Sequence, residues 1–386
     1  MDRLPPLSWV EIDKHALVHN IKALRSVIGP HVILAPCVKS NAYGHGLVLA
    51  SRVFLEAGAD WLCVDSVHEA HQLRSAGITA PIYIMGYVSL EQIPYVVSLR
   101  CKIMVNNKET IEALAHHAAH DGCIIDIHLK VETGNNRQGI RPEHIVDFAR
   151  FIQTFPSLRI EGLATHFSNI EDVKRHDFAE IQRQRFDRAY ELLQEAGVVI
   201  PIRHCANAAA TMMYPETHYD MVRPGVACYG IWPSPLFRET YLERHFAPIT
   251  LMPAFTWKTK LAQIRIVPQG ETIGYGRTFT TASDMRIGVV PVGYYDGYDR
   301  HLSNKGYVLV HDTVCPVVGR VSMNIIMIDL TAVPQAALED EVILLGKGKT
   351  QSVDIEEIAR LQDRIEYELP TRVTTNPIEE VPRILV

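Results

Sequence analysis

Short apolar runs alternate with amphipathic segments between residues 31 and 230 of this 386-residue chain. There are eight runs, which read HVILAPCVK, WLCVD, PIYIMG, KIMV, CIIDIHLKV, IEGLATHF, PIRHCAN and MVRPGVACYG. The segments between them, such as NKETIEALAHHAAH, carry apolar residues three and four positions apart, and several end in glycine, as helices often do. Continuous apolar strands have to be covered on both faces, so the alternation predicts an α/β fold that begins with a (β/α)8 TIM barrel.

The pattern changes after residue 249. Shorter alternating runs punctuated by Gly and Pro, such as MRIGVVPVGYYDGY, predict a mainly antiparallel β domain, with one short helix over 352–362. A proline-marked segment over 232–249 is interpreted as the linker. We therefore predict a barrel over 9–248 and a C-terminal β domain over 249–386, with the first strand, about 8–13, packing with the C-terminal domain.

Composition narrows the class of protein. Hydrophobic residues make up 47%, charged residues 21%, and the net charge is −6, which favours a soluble globular protein and gives no basic excess for nucleic acid. No stretch approaches the roughly 20 apolar residues that cross a bilayer, and no signal segment opens the sequence, so we expect a cytoplasmic protein without a membrane partner. The seven cysteines, scattered without a C-x-x-C pair, argue against a disulfide framework or a structural zinc site, and we expect no metal.

Polar residues close several of the apolar runs. Lys39 ends the first run, Lys130 lies at the end of the fifth, His166 in the sixth, Asn207 ends the seventh and Arg223 lies in the eighth. Each residue alone is more simply a solvated or hydrogen-bonded side chain. Chemistry in such barrels gathers at the C-terminal ends of the strands, so their coincidence at one rim favours an active site.

Lys39 suggests which chemistry this rim supports. A lysine amine in a partly desolvated site has a lowered pKa and forms a Schiff base with a carbonyl cofactor. Pyridoxal 5'-phosphate is the obvious candidate, because it stabilises carbanions. Its phosphate would bind near the seventh and eighth strands, where Gly225 allows a close approach of the backbone.

Motifs along the whole chain carry a family resemblance. They are VKSNAYGHG, the HLKVETG segment with Arg137, THF, VRPGVACYG, IGYGRTF, VGYYDGY and VGRVSMN, in that order. With these blocks the sequence, from SWVEID to EVPRIL, resembles the alanine racemases, pyridoxal-phosphate enzymes with a barrel and a β domain. The resemblance implies interconversion of L- and D-alanine, which would supply D-alanine for peptidoglycan.

The resemblance also implies catalytic and cofactor-binding roles. Lys39 would hold the cofactor and act as one catalytic base, and Tyr275 would be the second base. Arg223 would face the pyridine nitrogen, and His166, linked to Arg223, would assist Tyr275. The remaining cofactor-binding residues would be Tyr43, Asn207, Tyr367 and the backbone of Gly225 and Val226.

Substrate binding and assembly follow from the same resemblance. Arg137 and the backbone N–H of Met323 would hold the substrate carboxylate, and Lys130 would be a lysine that can be carboxylated. The residues of the substrate gate would be Tyr294, Arg300, Arg320 and Asn324. The β-domain residues would reach the barrel of a second copy, which implies a head-to-tail homodimer with shared sites.

Three departures from the family pattern leave the substrate open. Ala208 stands where a serine is usual, Asn324 replaces the common aspartate, and TGNNRQG, with Asn135 and Asn136, replaces the usual TGMGRLG. A serine or broad-specificity racemase is therefore the alternative within the same chemistry. A related decarboxylase would need a cysteine-and-aspartate motif that we do not find, and a non-catalytic carrier of the cofactor would be a lone barrel.

Overall fold

The computed structural model describes residues 5–244, 249–373 and 381–386. Contacts between Cα atoms divide the chain into two compact units. The first, here called the barrel unit, comprises Leu17–Ala42 and Leu47–Met252. The second, here called the β unit, comprises Met1–Ala16, Tyr43–Gly46 and Pro253–Val386.

The strands are numbered in chain order. Strands β1–β9 are Ser8–Ile12, Ile33–Leu34, Leu62–Val64, Ile82–Ile84, Lys102–Val105, Ile125–Lys130, Leu158–Ala164, Ile202–His204 and Met221–Val222. Strands β10–β20 are Phe255–Lys260, Gln263–Val267, Thr272–Ile273, Phe279–Thr280, Met285–Val290, Tyr307–Val310, Thr313–Pro316, Ile326–Asp329, Glu341–Lys347, Ser352–Val353 and Arg383–Leu385.

The barrel unit is built on parallel strands. Strands β3 to β8 form one parallel sheet in chain order, and β2 pairs with β9. A single bridge between Cys37 and Cys63 links the segment after β2 to β3. Every residue of β3 and β4 is buried, as expected for strands covered on both faces. The eight apolar runs hold these eight strands, and the predicted (β/α)8 fold is confirmed.

The helices follow the strands of the barrel. Helices α1–α11 are Lys14–Ile28, Leu47–Glu56, Val67–Ser75, Ile93–Ser98, Lys108–His120, Ile145–Gln153, Asp177–Glu195, Ala208–Met213, Pro235–Glu243, Ile355–Gln362 and Glu368–Arg372. Local capping fixes the start of α5, where the Asn107 side chain accepts a hydrogen bond from the backbone of Thr110. The structure corrects two details of the sequence interpretation. The predicted linker contains α9, capped by Ser234, and α10 is capped by Asp354 and starts after β19.

The β unit is mainly antiparallel. Its larger sheet has the order β16-β15-β18-β10-β1-β20, with β19 paired to β18. The N-terminal strand β1 pairs antiparallel with β10 and parallel with β20. A second sheet, β11-β14-β17, and the β12-β13 hairpin enclose a small core around Ile287. The predicted antiparallel β domain is confirmed.

Within the described ranges, no helix is long and apolar enough to cross a membrane.

Candidate active site

Lys39 is followed by one turn of left-handed backbone. Ser40, Asn41 and Ala42 have φ values of 55°, 54° and 54°, and Tyr43 has φ 52°. Left-handed backbone costs an L-residue about 1–2 kcal/mol, so four consecutive residues in this region require external support. Strain of this kind is concentrated at functional sites.

Hydrogen bonds from neighbouring elements supply that support. The Ser40 N–H donates to Glu69 Oε1 at 2.6 Å, and the Asn41 side chain accepts from the Leu47 N–H at 2.7 Å. The other oxygen of Glu69 accepts from the backbone of Asp65 and Ser66, just after β3. Glu69 therefore joins the turn after Lys39 to the end of the next strand.

The Lys39 amine itself is only loosely paired. Its Nζ lies 3.5 Å from Oδ1 of Asp65, and both side chains are well exposed, at 37% and 54%. An exposed ion pair of this length contributes little to stability. The amine is consequently accessible to a carbonyl group.

Cationic side chains surround His166 in the barrel unit. Burial lowers the pKa of His166 well below its ordinary value, and the charges of Lys130, Arg223, Arg137 and Lys39 lower it further. The imidazole is therefore neutral at pH 7, with one donor and one acceptor nitrogen. The structure thus brings together five of the residues that the sequence singled out.

Lys130, the last residue of β6, is almost fully buried. Burial lowers the pKa of its amine well below the ordinary value, and the nearby charges of Arg223 and Arg137 act in the same direction. Glu132 opposes them only in part. Burial therefore favours the neutral amine, and a neutral amine is a nucleophile.

The loop after β6 is ordered around Glu132. One carboxylate oxygen accepts from the Gly134 N–H at 2.5 Å and the other from the Arg137 N–H at 3.3 Å. Gly139 lies so close that an added Cβ would sit 2.6 Å from the Glu132 nitrogen. The loop backbone is thereby fixed, while the Arg137 side chain is exposed at its tip.

Arg223 is held from two sides. It lies just after β9 with 6% of its surface exposed. Its Nη2 donates to the backbone oxygen of Thr165 at 2.9 Å, and its Nη1 donates to Nδ1 of His204. The Thr165 hydroxyl donates in turn to the backbone oxygen of Val131. Two partners on neighbouring strands fix the plane of the guanidinium.

His204 was not singled out from the sequence, nor were His128 and Glu161 behind it. His204 Nε2 lies 2.7 Å from His128 Nδ1, and His128 Nε2 lies 3.0 Å from Glu161 Oε2. The available signal was a histidine inside each of the apolar strands IDIHLK and IRH. A buried polar residue in such a run requires a partner, which the sequence alone does not name.

The expected phosphate region lies beyond the seventh and eighth barrel strands. The Asn207 side-chain oxygen caps α8 by accepting from the Ala210 N–H at 3.0 Å. Ala208, the replacement for serine, is buried at the start of that helix. Gly225 directly precedes a 3₁₀ turn over Val226–Tyr229. These positions agree with the expectation for a phosphate site, but the individual roles stay predictions.

Tyr275 lies in the β unit at the start of a short 3₁₀ turn, with 73% of its surface exposed. The turn is flanked by Gly274 and Gly276, with φ of 72° and 71°. A Cβ at position 276 would lie 3.2 Å from the Arg320 guanidinium carbon, so Arg320 packs against this turn. The β unit therefore presents the predicted second base beside a cation.

Two adjacent loops of the β unit carry further predicted residues. The Tyr294 N–H donates to Ser322 at 3.0 Å, and the Tyr295 N–H donates to Met323 at 2.9 Å. These bonds hold Tyr294 against the segment that carries Met323 and Asn324. The side chains of Tyr294, Met323 and Asn324 are exposed.

Tyr294 and Arg300 also line a cavity of about 600 Å³ in the β unit. The other lining residues are Gly297, Asp299, Arg364 and Arg372. Arg372 donates to Asp299 at 2.9 Å. Tyr367 lies between α10 and α11, partly buried. Two of the four predicted gate residues, Tyr294 and Arg300, therefore line a cavity that contains three arginines.

Among the described residues, no group of three or more His, Cys, Asp or Glu side chains is arranged to hold a metal ion.

Comparison with known proteins covers the whole chain. A family profile for the alanine racemase N-terminal domain matches residues 12–233, and one for the C-terminal domain matches 254–383. The alanine racemase of Desulfovibrio desulfuricans is 38% identical over 378 residues, covering 98% of each chain. That of Methanococcus maripaludis is 38% identical over 377 residues, covering 97% of this chain and 98% of the relative.

Solved structures agree. The crystal structure of alanine racemase from Bacillus anthracis with bound L-Ala-P has a TM-score of 0.91 and 32% identity, covering 100% of this chain and 96% of that one. With both domain profiles matched and full-length relatives above 30% identity, the chain belongs to the alanine racemase family.

Proposed function

We propose that this chain interconverts L- and D-alanine with pyridoxal 5'-phosphate as cofactor, using Lys39 and Tyr275 as the two bases. The observation that carries the proposal is the cationic cluster at the barrel rim. There an accessible lysine amine lies among Lys130, Arg137 and Arg223 around a neutral His166. Such a cluster suits a ligand that brings a phosphate and a substrate that brings a carboxylate.

The residues present fit that cofactor. Lys39 offers an accessible amine on a rigid turn, and Arg223 offers a buried, fixed donor. The 3₁₀ turn after Gly225 lies where barrels commonly bind phosphate. We propose that the backbone of Gly225 and Val226 holds the phosphate, together with Asn207, Tyr43 and Tyr367.

When bound, pyridoxal phosphate supplies a carbonyl that bonds to amines and a ring that stabilises negative charge at Cα. Lys39 would hold the cofactor through its amine and, once that amine is free, would remove or return the proton on one face of Cα. Tyr275 does the same on the opposite face. Proton removal by one base and return by the other inverts the configuration.

Arg223 would limit how much charge the ring nitrogen of the cofactor accepts. A guanidinium has a pKa above about 12 and only donates hydrogen bonds, so it does not give up a proton to this nitrogen. Arg223 would thereby keep electron withdrawal by the ring weak, which would favour prompt return of the proton to Cα. Side reactions such as transamination are thereby discouraged.

Tyr275 requires help to act as a base, because an unperturbed phenol has a pKa near 10. We propose that neutral His166 accepts a hydrogen bond from this phenol. The charges of Arg223, Lys130 and Arg137 around His166 would favour the phenolate.

The substrate carboxylate is assigned to Arg137 and to the backbone N–H of Met323. Lys130 supports Arg137 if its amine is carboxylated. The neutral amine that burial favours can attack carbon dioxide, and loss of a proton leaves an anionic carbamate. A buried cation would thus become a partner for the arginine.

The second base is assigned to another copy of the chain. Tyr275, Met323 and Tyr294 are exposed on the β unit, as a head-to-tail homodimer with shared sites would require. Arg300, Arg320 and Asn324 would form the gate together with Tyr294. The D-alanine produced would serve peptidoglycan synthesis.

A serine or broad-specificity racemase is the second candidate. It is favoured by the exposed Asn324, which replaces a charge at the gate, and by the polar Asn135–Asn136 pair beside Arg137. Either change would better accommodate a hydroxyl group on the substrate.

Isotope exchange tests the proposal. The purified protein is incubated in deuterated water with L-alanine, and both enantiomers are followed by chiral chromatography and mass spectrometry. Deuterium at Cα of both enantiomers is expected. Parallel reactions with L-serine, L-lysine and L-arginine separate the candidates, and release of carbon dioxide or absence of exchange would contradict racemisation.

A further inference from the structure

A line of hydrogen bonds crosses the barrel unit behind Arg223. Arg223 bonds to His204, His204 lies 2.7 Å from His128, and His128 lies 3.0 Å from Glu161. Glu161 ends the line by accepting from Lys102 Nζ at 2.6 Å. We call Arg223, His204, His128 and Glu161 the histidine chain.

The two imidazoles of the histidine chain are sealed from water. His128 and His204 are 0% exposed, and the ring of Tyr83 packs against both, with centroids 4.7 Å and 5.3 Å away. Burial lowers the pKa of both histidines, and the charge of Arg223 acts in the same direction. At His128 the Glu161 carboxylate raises the pKa, but it offsets the effect of burial only in part. Each ring is therefore neutral and carries a single N–H.

Only one arrangement of protons satisfies every bond in the histidine chain. Arg223 can only donate, so His204 accepts at Nδ1 and carries its proton on Nε2. That proton is donated to Nδ1 of His128, which then donates from Nε2 to Glu161. The reverse order would place an N–H of His204 against an N–H of Arg223.

Glu161 is the hydrogen-bond acceptor that stabilises this arrangement of protons. Burial alone would raise the pKa of its carboxyl group, but the hydrogen bonds from His128 and Lys102 outweigh burial and lower it. The carboxylate is thus ionised and accepts at both oxygens. We propose that Glu161 is a positioning residue for Arg223, acting through His128 and His204 by fixing their tautomers.

The contacts of Lys102 determine what a substitution of Glu161 should do. Its ammonium is held between Asp126 at 2.8 Å and Glu161, and it lies 4.7 Å from the centre of the Trp61 ring. In Glu161→Gln the single amide oxygen turns to this ammonium, which leaves the NH₂ group facing His128. His128 then has to accept a hydrogen bond at Nε2, so its proton moves to Nδ1 and is donated to Nε2 of His204. The proton of His204 is consequently on Nδ1, where this N–H faces the N–H of Arg223.

The consequence for activity rests on the proposed function of Arg223. Glu161→Gln should lower kcat for alanine by about tenfold, since a buried donor loses its acceptor, with KM changing less. Adding Lys102→Met frees the amide oxygen for His128. The double variant should therefore recover the kcat of Lys102→Met alone, and Glu195→Gln, which alters an exposed ion pair on α7, is the control.

A readout independent of activity is neutron diffraction from crystals of the perdeuterated holoenzyme. Deuterons are expected on Nε2 of both His204 and His128 in the wild type. In Glu161→Gln they are expected on Nδ1, with the Arg223 guanidinium displaced.

Three results would overturn the proposal: a deuteron on Nδ1 of His204 in the wild type, an unmoved Arg223 in Glu161→Gln, or a double variant as slow as Glu161→Gln. Failure of the wild type to racemise any amino acid would instead overturn the proposed function. The deuteron positions and the location of Arg223 would still decide the proposal on Glu161.

Discussion

At the scale of the residue, the hydrogen bonding of Arg223 depends on the planar geometry of its side chain. Its two hydrogen bonds to His204 and Thr165 use two nitrogens of one planar group. Lysine carries the same charge but cannot reach both partners from one ammonium.

Arg223→Lys should therefore lower kcat/KM about tenfold to a hundredfold, because each lost charge-assisted bond is worth about 1.5–3 kcal/mol. Steady-state racemisation kinetics measure the effect. The matched control is Arg188→Lys, which changes an exposed arginine on α7. Equal kinetics for the two variants would show that the fork geometry of Arg223 is not used.

Lys130 provides a second prediction at this scale. Because burial favours its neutral amine, we expect a carbamate when the protein is equilibrated with ¹³C-bicarbonate. A ¹³C resonance in the carbamate region should be present in the wild type and absent from Lys130→Met. The surface variant Lys108→Met should keep the resonance, and a wild-type spectrum without it would contradict the assignment.

The sequence identified the residues that end strands but not those that support them. Lys39, Lys130 and Arg223 stand out because each charge interrupts or closes an apolar run. His128 and His204 lie 76 positions apart, and either alone resembles an ordinary core histidine. Their contact depends on the register of three strands, which composition and spacing do not encode.

At the scale of the element, Gly162 makes that contact possible. It lies in β7, between β6 and β8, directly opposite His128. A Cβ at this position would sit 2.2 Å from His128 Nδ1, the atom that meets His204.

Gly162→Ala should therefore break the bond between His128 and His204 and destabilise the protein by about 1–3 kcal/mol, the cost of overpacking or of an unsatisfied buried group. Urea unfolding measures the loss. Gly122→Ala, where an added Cβ meets nothing within 4 Å but φ is +61°, should cost only about 1 kcal/mol. A milder effect at 162 than at 122 would contradict the packing argument.

The stability of the protein at acid pH depends on two histidines in the barrel strands. His128 and His204 are neutral in the fold because burial lowers the pKa of each below 6.5. As pH falls through 6.5, the unfolded chain takes up protons that the folded protein does not. The contribution of these two histidines to the free energy of unfolding is therefore fully present above pH 6.5 and declines below it.

The decline should reach about 1.4 kcal/mol per pH unit for His204, whose pKa lies well below its ordinary value in the fold. Urea unfolding at pH 7.0, 6.0 and 5.0 measures it. His204→Asn should reduce the slope by about that amount, whereas His120→Gln, at a largely exposed position, should not. Parallel slopes for wild type and His204→Asn would show that His204 already binds a proton in the fold.

Most elements could be predicted from apolar periodicity, and the exceptions have specific physical causes. Helix α9 was not predicted because its segment contains prolines and was interpreted as a linker. Pro235 stands in the first turn of this helix, where proline is tolerated. The left-handed turn after Lys39 could not be foreseen, since Ser-Asn-Ala-Tyr has no glycine. That backbone is imposed by bonds from distant residues such as Glu69.

At the scale of the whole molecule, the assignment of Lys39 and Tyr275 to different copies has a sharp test. A heterodimer of one Lys39→Ala chain and one Tyr275→Phe chain, purified with two affinity tags, would contain one intact site and one doubly altered site. We expect about half of the wild-type activity, since one of two symmetry-related sites is restored. The two homodimeric variants are the controls and should both be nearly inactive.

If Lys39 and Tyr275 of the same chain formed each site, the heterodimer would be as inactive as its parents. A sedimentation experiment that finds only a single 43.4 kDa chain at assay concentration would exclude the shared site as well.

The strained turn after Lys39 has a consequence for the order of assembly. The left-handed turn is held by the hydrogen bond that the Ser40 N–H donates to Glu69, and Glu69 lies on α3, beyond the following strand. During folding, the lysine is therefore placed only after this later segment has docked. A nascent or misfolded chain carries an ordinary flexible amine at position 39, and the reactive geometry appears only in molecules that have completed this part of the barrel.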